Sequence, residues 1–166
     1  MLASSAMPRP LRSELPDGVF HVTARATIDS VVFVDDEDRR AFLWLLGAAA
    51  ARFAVTCLAY CLMGTHYHLI LRGSREAMSA AMQSLNGRYA QRFNTRHARH
   101  GHVFAERFSA HVIRDEDHLE QAFAYISANP VQAGLCDTPA AWPWTWIADT
   151  AGRRRRAVPL PARRSI

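Results

Sequence analysis

Lysine is missing from all 166 residues; the 20 basic side chains are arginine without exception. That absence removes two chemistries, a Schiff-base lysine and the phosphate-gripping lysine of a P-loop. Cysteine is scarce as well. The three thiols, Cys57, Cys61 and Cys136, are odd in number and lack CxxC spacing, which argues against a disulfide framework and fits a reduced compartment. No apolar run approaches the roughly 20 residues of a membrane-spanning helix. The opening MLASSAMPRP also lacks the charged-then-apolar layout of a secretory signal, so a cytoplasmic protein is expected. There is no internal repeat and no GxGxxG fingerprint.

What is present suffices for one core, since 49% of the residues are hydrophobic. One domain over 1–149 and an arginine-rich, flexible tail over 150–166 are expected. The net charge of +5 is uneven: the tail holds six arginines and no acid, so residues 1–149 carry 14 arginines against 15 acids, a net of −1. A second concentration lies between Asn86 and Arg114, where Arg88, Arg92, Arg96, Arg99, Arg107 and Arg114 face one acid, Glu106, with His97, His100, His102 and His111 interspersed. Arginine beside aromatic residues suits a phosphate backbone and stacked bases, although a solvated face has the same composition.

GVFHVTARA alternates apolar and polar side chains after a Pro-Asp-Gly turn, which predicts a strand over 19–25. Asp35 or Asp36 can cap a helix whose Phe42, Leu45, Leu46, Ala49 and Phe53 fall at helical spacing. AVTCLAYCLM and HYHLILR are rich in strand formers and are split by Gly64-Thr65, so they form an expected antiparallel pair. Ser74 can cap a second helix, with Ala77, Ala81, Leu85, Tyr89 and Phe93 as its apolar stripe. An extended segment follows in HVFAERFSAHVI, then a third helix opened by Asp115 and closed by Pro130. The order predicts a ferredoxin-like α+β layout, β-α-β-β-α-β, followed by a further helix. TPAAWPWTWIAD reads as an irregular apolar wrap onto that body.

Within the second strand of the pair, His66 and His68 point one way and Tyr67, Leu69 and Leu71 the other. Two imidazoles about 7 Å apart on a rigid face can ligate one metal ion or meet a phosphate. On the third helix, Leu119, Phe123 and Ile126 form the core side, whereas His118, Gln121, Tyr125 and Asn129 form a separate polar stripe. By helix pattern alone, Tyr125 also fits a half-buried tyrosine with its hydroxyl in water. Tyr89 is a rival nucleophile but sits on an apolar stripe. A zinc hydrolase using His66, His68 and Cys57 or Cys61 is a second enzyme class, without an acidic general base nearby. His97, His100, His102 and His111 are too irregularly spaced for a clear metal motif.

MGTHYHLIL resembles the His-hydrophobic-His signature of HUH single-strand nucleases. Together, MPRPLRSELPDGVFHVTARA, YCLMGTHYHLIL, LNGRYAQRFNTRH, GHVFAERF and YISANPVQAGL are similar to the REP-associated tyrosine transposases, in order from about Met7 to Trp146. The resemblance implies a ferredoxin-like fold, His66 and His68 holding a divalent cation (Mg²⁺ or Mn²⁺), Asn129 as third ligand and Tyr125 as nucleophile. It implies cleavage and rejoining of single-stranded DNA at palindromic repeat hairpins through a 5′-phosphotyrosine, in a nucleoid-associated protein. A domesticated hairpin-binding protein without catalysis is the non-enzymatic alternative. Arg88, Arg92, Arg96 and Arg107 are the candidate DNA-backbone contacts, and a monomer is expected because nucleophile and ligands can meet within one chain. The chain departs from many relatives in following Arg25 with ATIDSVV, where they carry a basic run, and in having Gly64-Thr65 before the histidines.

Overall fold

The computed structural model describes residues 18–148, and the arginine-rich stretch 150–166 lies outside them. The order is β1 (Gly18–Arg25), α1 (Asp36–Phe53), β2 (Thr56–Leu62), β3 (His66–Gly73), α2 (Arg75–Arg96), β4 (Ser109–Ile113), α3 (Glu116–Gln132) and β5 (Thr145–Ile147), with a 3₁₀ turn at Pro139–Ala141. The sheet runs β4-β1-β3-β2-β5 and every neighbouring pair is antiparallel. The units β1-α1-β2 and β3-α2-β4 each leave a gap that a strand of the other fills, which is the expected ferredoxin-like core. Local chemistry sets the helix starts: the side chains of Asp35, Ser74 and Asp115 accept from the backbone N–H of Asp38, Ala77 and His118.

Strand alternation divides the molecule into two layers. Tyr67, Leu69 and Leu71 of β3 face α1 and α2 in the larger core, whereas Ile70 joins a smaller core beneath α3 with Phe123 and Ile126. A bulge between Cys57 and Ala59 rephases β2, so Cys57 faces the larger core while Ala59 and Cys61 face α3. Among the described residues, α3 is therefore the one α-helix on the sheet face that carries the histidine pair.

Two elements differ from expectation. Pro130 does not close α3, which continues to Gln132. So near the end, the missing N–H forfeits one bond to the carbonyl of Ile126, while Ala133 and Leu135 still donate to the carbonyls of Asn129 and Pro130, at 3.0 and 2.9 Å. Pro130 is buried, and that contact offsets the lost bond. Asn129 thereby keeps helical geometry on the stripe of Tyr125. The tryptophan-rich segment does wrap the body, but it also supplies β5, which pairs with β2 at the sheet edge. Trp146 stacks on Tyr60 at 5.9 Å, the Trp142 indole donates to the Leu62 carbonyl at 3.1 Å, and the Arg39 guanidinium lies 5.6 Å from the Phe33 and Trp142 rings.

The acidic run at the start of α1 is tied to the end of α2. Asp38, 3% exposed, accepts from Arg96 at 2.7 Å, His97 at 2.9 Å and the Val34 N–H at 2.9 Å. Arg96 also pairs with Asp35 at 2.8 Å and Glu37 at 3.2 Å. That hydrogen bond from Arg96 is the main cause holding the Asp35 carboxyl at about 2, below its ordinary 3.8. Arg96→Ala should lower the melting temperature at pH 7, because it leaves the buried Asp38 and the N-cap Asp35 without their guanidinium partner. A carboxylate with depressed pKa contributes fully above its unfolded value and loses that contribution as it protonates. The gap to wild type should therefore narrow as the pH falls from 3.8 toward about 2; a gap constant over that range would contradict the assignment.

Candidate active site

β3 presents His66 and His68 to the α3 layer, their ring centroids 5.1 Å apart and nearly perpendicular. α3 is anchored over that layer by Ala122, Phe123 and Ile126 packing with Leu58, Ala59, Cys61 and Ile70. Tyr125 precedes Ile126 and so falls at the margin of the contact, 50% exposed. Its ring stands edge-on to His68, with centroids 5.6 Å apart, and 6.1 Å from His21. Burial lowers the pKa of both His66 and His68, and the Asn129 amide lies close enough to each to oppose that shift in part. Tyr125, His66, His68 and Asn129, expected together from sequence, are together in space.

His21 belongs to the same cluster and sequence reasoning missed it. The register pairs His21 with Ile70 and Thr23 with His68, so His21 shares the histidine face, and its Nε2 lies 3.0 Å from His68 Nδ1. Alternation within GVFHVTARA puts His21 on the polar side of its strand, but nothing local reveals that β1 lies beside β3.

Burial makes this face a place for neutral imidazoles. It lowers His68 to about 3, assisted by His21, His66 and Arg25, and lowers His21 to about 4, assisted by His111 and His118. His66 is lowered too, by burial first and then by Arg25. Lone pairs are thus available at pH 7. His66 Nδ1 is engaged by Thr65 Oγ1 at 3.0 Å, and His68 Nδ1 by His21. His68 Nε2 is buried, and no hydrogen bond of ordinary geometry reaches it.

A buried nitrogen without a partner is costly, and a cation is the ligand that would satisfy it. Two imidazole nitrogens and an amide oxygen fit a divalent ion that keeps open positions for substrate oxygens. Among the described residues, no three His, Cys, Asp or Glu side chains converge to hold a metal ion. The zinc arrangement is not assembled: Cys57 faces the opposite layer with its thiol pushed up to about 12. Cys61 pairs with His68 across β2 and β3, but burial pushes its thiol up to about 11 and Thr145 donates to it at 3.3 Å. Tyr89 is buried among Phe33, Phe42 and Phe93 and donates its hydroxyl to the Val32 carbonyl, which gives it a core role.

The four arginines read as DNA contacts are spread over two places. Arg88, Arg92 and Arg96 stand on α2, across the sheet from the histidines, with Arg96 held by the acidic run and Arg92 3.6 Å from Glu37. Arg107 lies at the His66 end of the sheet, between the Ser109–Thr23 pair and the hydrogen bond from Ala105 N–H to the Arg25 carbonyl. Arg25, not singled out from sequence, is exposed and directly opposite His66 in the β1–β3 register.

A ferredoxin-like sheet carrying a His-x-His strand, crossed by a separate helix with a tyrosine and an asparagine one turn apart, defines the class as an HUH-type α+β domain. A family model described as IS200-like transposase matches residues 17–129, ending on the asparagine of that site. The chain belongs to this family of transposases. Among solved structures it is similar to a REP-associated tyrosine transposase bound to a REP hairpin, with 16% identity, a TM-score of 0.69, and coverage of 91% of this chain and 100% of that one. That likeness establishes the common fold. No curated protein sequence matches the chain.

Proposed function

We propose that this transposase is a single-tyrosine nickase and strand transferase acting on single-stranded DNA that carries palindromic hairpins. The observation supporting it most directly is the Tyr125 ring edge-on to His68, whose buried Nε2 has no partner. The phenol oxygen of Tyr125 attacks the phosphorus, losing its proton as the new P–O bond forms; the P–O3′ bond breaks, leaving a 5′-phosphotyrosine and a free 3′-hydroxyl. One phosphodiester replaces another, so attack by a 3′-hydroxyl on the phosphotyrosine rejoins strands without an energy source. Mg²⁺ or Mn²⁺ held by His66, His68 and Asn129 would polarise the phosphodiester.

Arg25 and Arg107 flank the His66 end of the sheet and are the candidates for gripping phosphates beside the cleaved bond. Arg88 and Arg92 are placed to meet more distant backbone, and Arg96, held by Asp35, Glu37 and Asp38, is the least available of the five. Hairpin DNA as the partner draws support from the bound state of the similar structure. A monomer suffices, because nucleophile and ligands meet within one chain.

The test is a labelled single-stranded oligonucleotide with an imperfect palindrome, incubated with the protein and Mn²⁺. A covalent adduct surviving denaturing electrophoresis is expected; retarded complexes without adduct would mean a hairpin-binding protein instead. Arg25→Ala should lower cleavage about 10- to 100-fold and reduce the salt dependence of binding by about one phosphate contact. An unaltered rate and salt slope would remove Arg25 from the site.

A further inference from the structure

We infer that His21 is a positioning residue that fixes His68 as an Nε2 ligand for the divalent cation. The inference rests on the proposed metal site and assigns a role to a residue outside it. The geometry allows little choice. Of the two nitrogens of His68, Nε2 is buried with the Asn129 amide near it but no hydrogen bond of ordinary geometry, and Nδ1 lies 3.0 Å from His21 Nε2. An imidazole that ligates through Nε2 carries its proton on Nδ1, and that proton needs an acceptor. His21 Nε2 is the acceptor, so His21 carries its own proton on Nδ1.

This bond fixes both the tautomer and the ring angle of His68. Unheld, the ring has two equivalent orientations and two tautomers, of which only one combination aims a lone pair at the Asn129 side. Thr65 Oγ1, at 3.0 Å from His66 Nδ1, occupies the same relation to the other ligand, so both histidines have Nδ1 engaged. The two supports differ in origin. Thr65 adjoins its histidine in sequence, whereas His21 comes from β1 and ties His68 to the strand beside it. The sheet itself sets the distance, since β1 and β3 are paired over all eight residues from Gly18 to Arg25.

The contrast between substitutions tests the role. Glutamine can place Oε1 close to the position of the imidazole Nε2 and accept the same hydrogen bond; asparagine is too short, and phenylalanine fills the space without accepting. Mn²⁺ affinity measured by electron paramagnetic resonance on the DNA-free protein should therefore weaken about 10- to 100-fold in His21→Phe and His21→Asn, and stay within about threefold of wild type in His21→Gln. Hairpin affinity without metal should be unchanged in all three. If His21→Phe does not fold, the comparison of Asn with Gln decides the matter. Nitrogen NMR of the metal-free protein provides a second readout, with His68 expected as the Nδ1–H tautomer in wild type and His21→Gln. Wild-type affinity in His21→Asn, or equal loss in Gln and Asn, would overturn the role of His21 and leave the metal site standing. A wild type that takes up no Mn²⁺ would overturn both.

Discussion

Tyr125→Phe should abolish the covalent protein–DNA adduct and lower strand cleavage by at least about 10⁴-fold, the order lost when an enzyme is deprived of its sole nucleophile. The substitution is suited to the test because it deletes one oxygen and little else. Tyr125 is half exposed, and no hydrogen bond to its hydroxyl occurs among the described residues. Stability should therefore stay within about 0.5 kcal/mol of wild type. The ring that stacks edge-on against His68 is retained, so cation and hairpin affinities should also persist. That pattern separates chemistry from folding: loss of adduct with binding intact assigns the attack to this oxygen. An adduct that persists in the phenylalanine variant, or a labelled peptide containing Tyr89, would end the assignment. The second result is not expected, because the Tyr89 hydroxyl is buried and bonded to the Val32 carbonyl.

The parts of the molecule that sequence reveals are those whose cause is local. Asp35, Ser74 and Asp115 cap their helices through bonds spanning three residues, and the stripe through Ala81, Leu85, Tyr89 and Phe93 announces one buried face. His66 and His68 belong to this class too, since strand alternation alone puts them on one side. What sequence leaves hidden depends on partners far along the chain. His21 meets His68 across 47 positions, and Arg96 meets Asp38 across 58. Arg96 looked free for DNA because its helix showed a basic stripe; the carboxylates that claim it belong to another helix. β5 is three residues long, too short for a period-two pattern, and exists because β2 offers an open edge. Pro130 misleads for a different reason: a proline near a helix end gives up one bond, and burial can outweigh it.

The double substitution His21→Leu with His68→Leu should melt at or slightly above wild type while losing cation binding and about 1000-fold or more in cleavage. The two halves of this expectation have one cause. In the absence of a cation, the fold keeps His68 5% exposed with one ring nitrogen unsatisfied, a condition that costs about 1–3 kcal/mol. Replacing His68 alone would transfer the deficit to His21, whose Nε2 loses its partner, so His68→Leu should gain little. Replacing both removes the two polar groups together and leaves apolar side chains of similar volume beside Ile70 and the α3 layer, where the change is neutral or favourable. Function moves the other way. A cation held by the proposed site would stabilise the transition state by several kcal/mol, and about 4 kcal/mol corresponds to the thousandfold loss. A double variant that melts well below wild type would mean that the histidine pair is structural. One that still cleaves at the wild-type rate with Mn²⁺ would mean that His68 does not hold the ion.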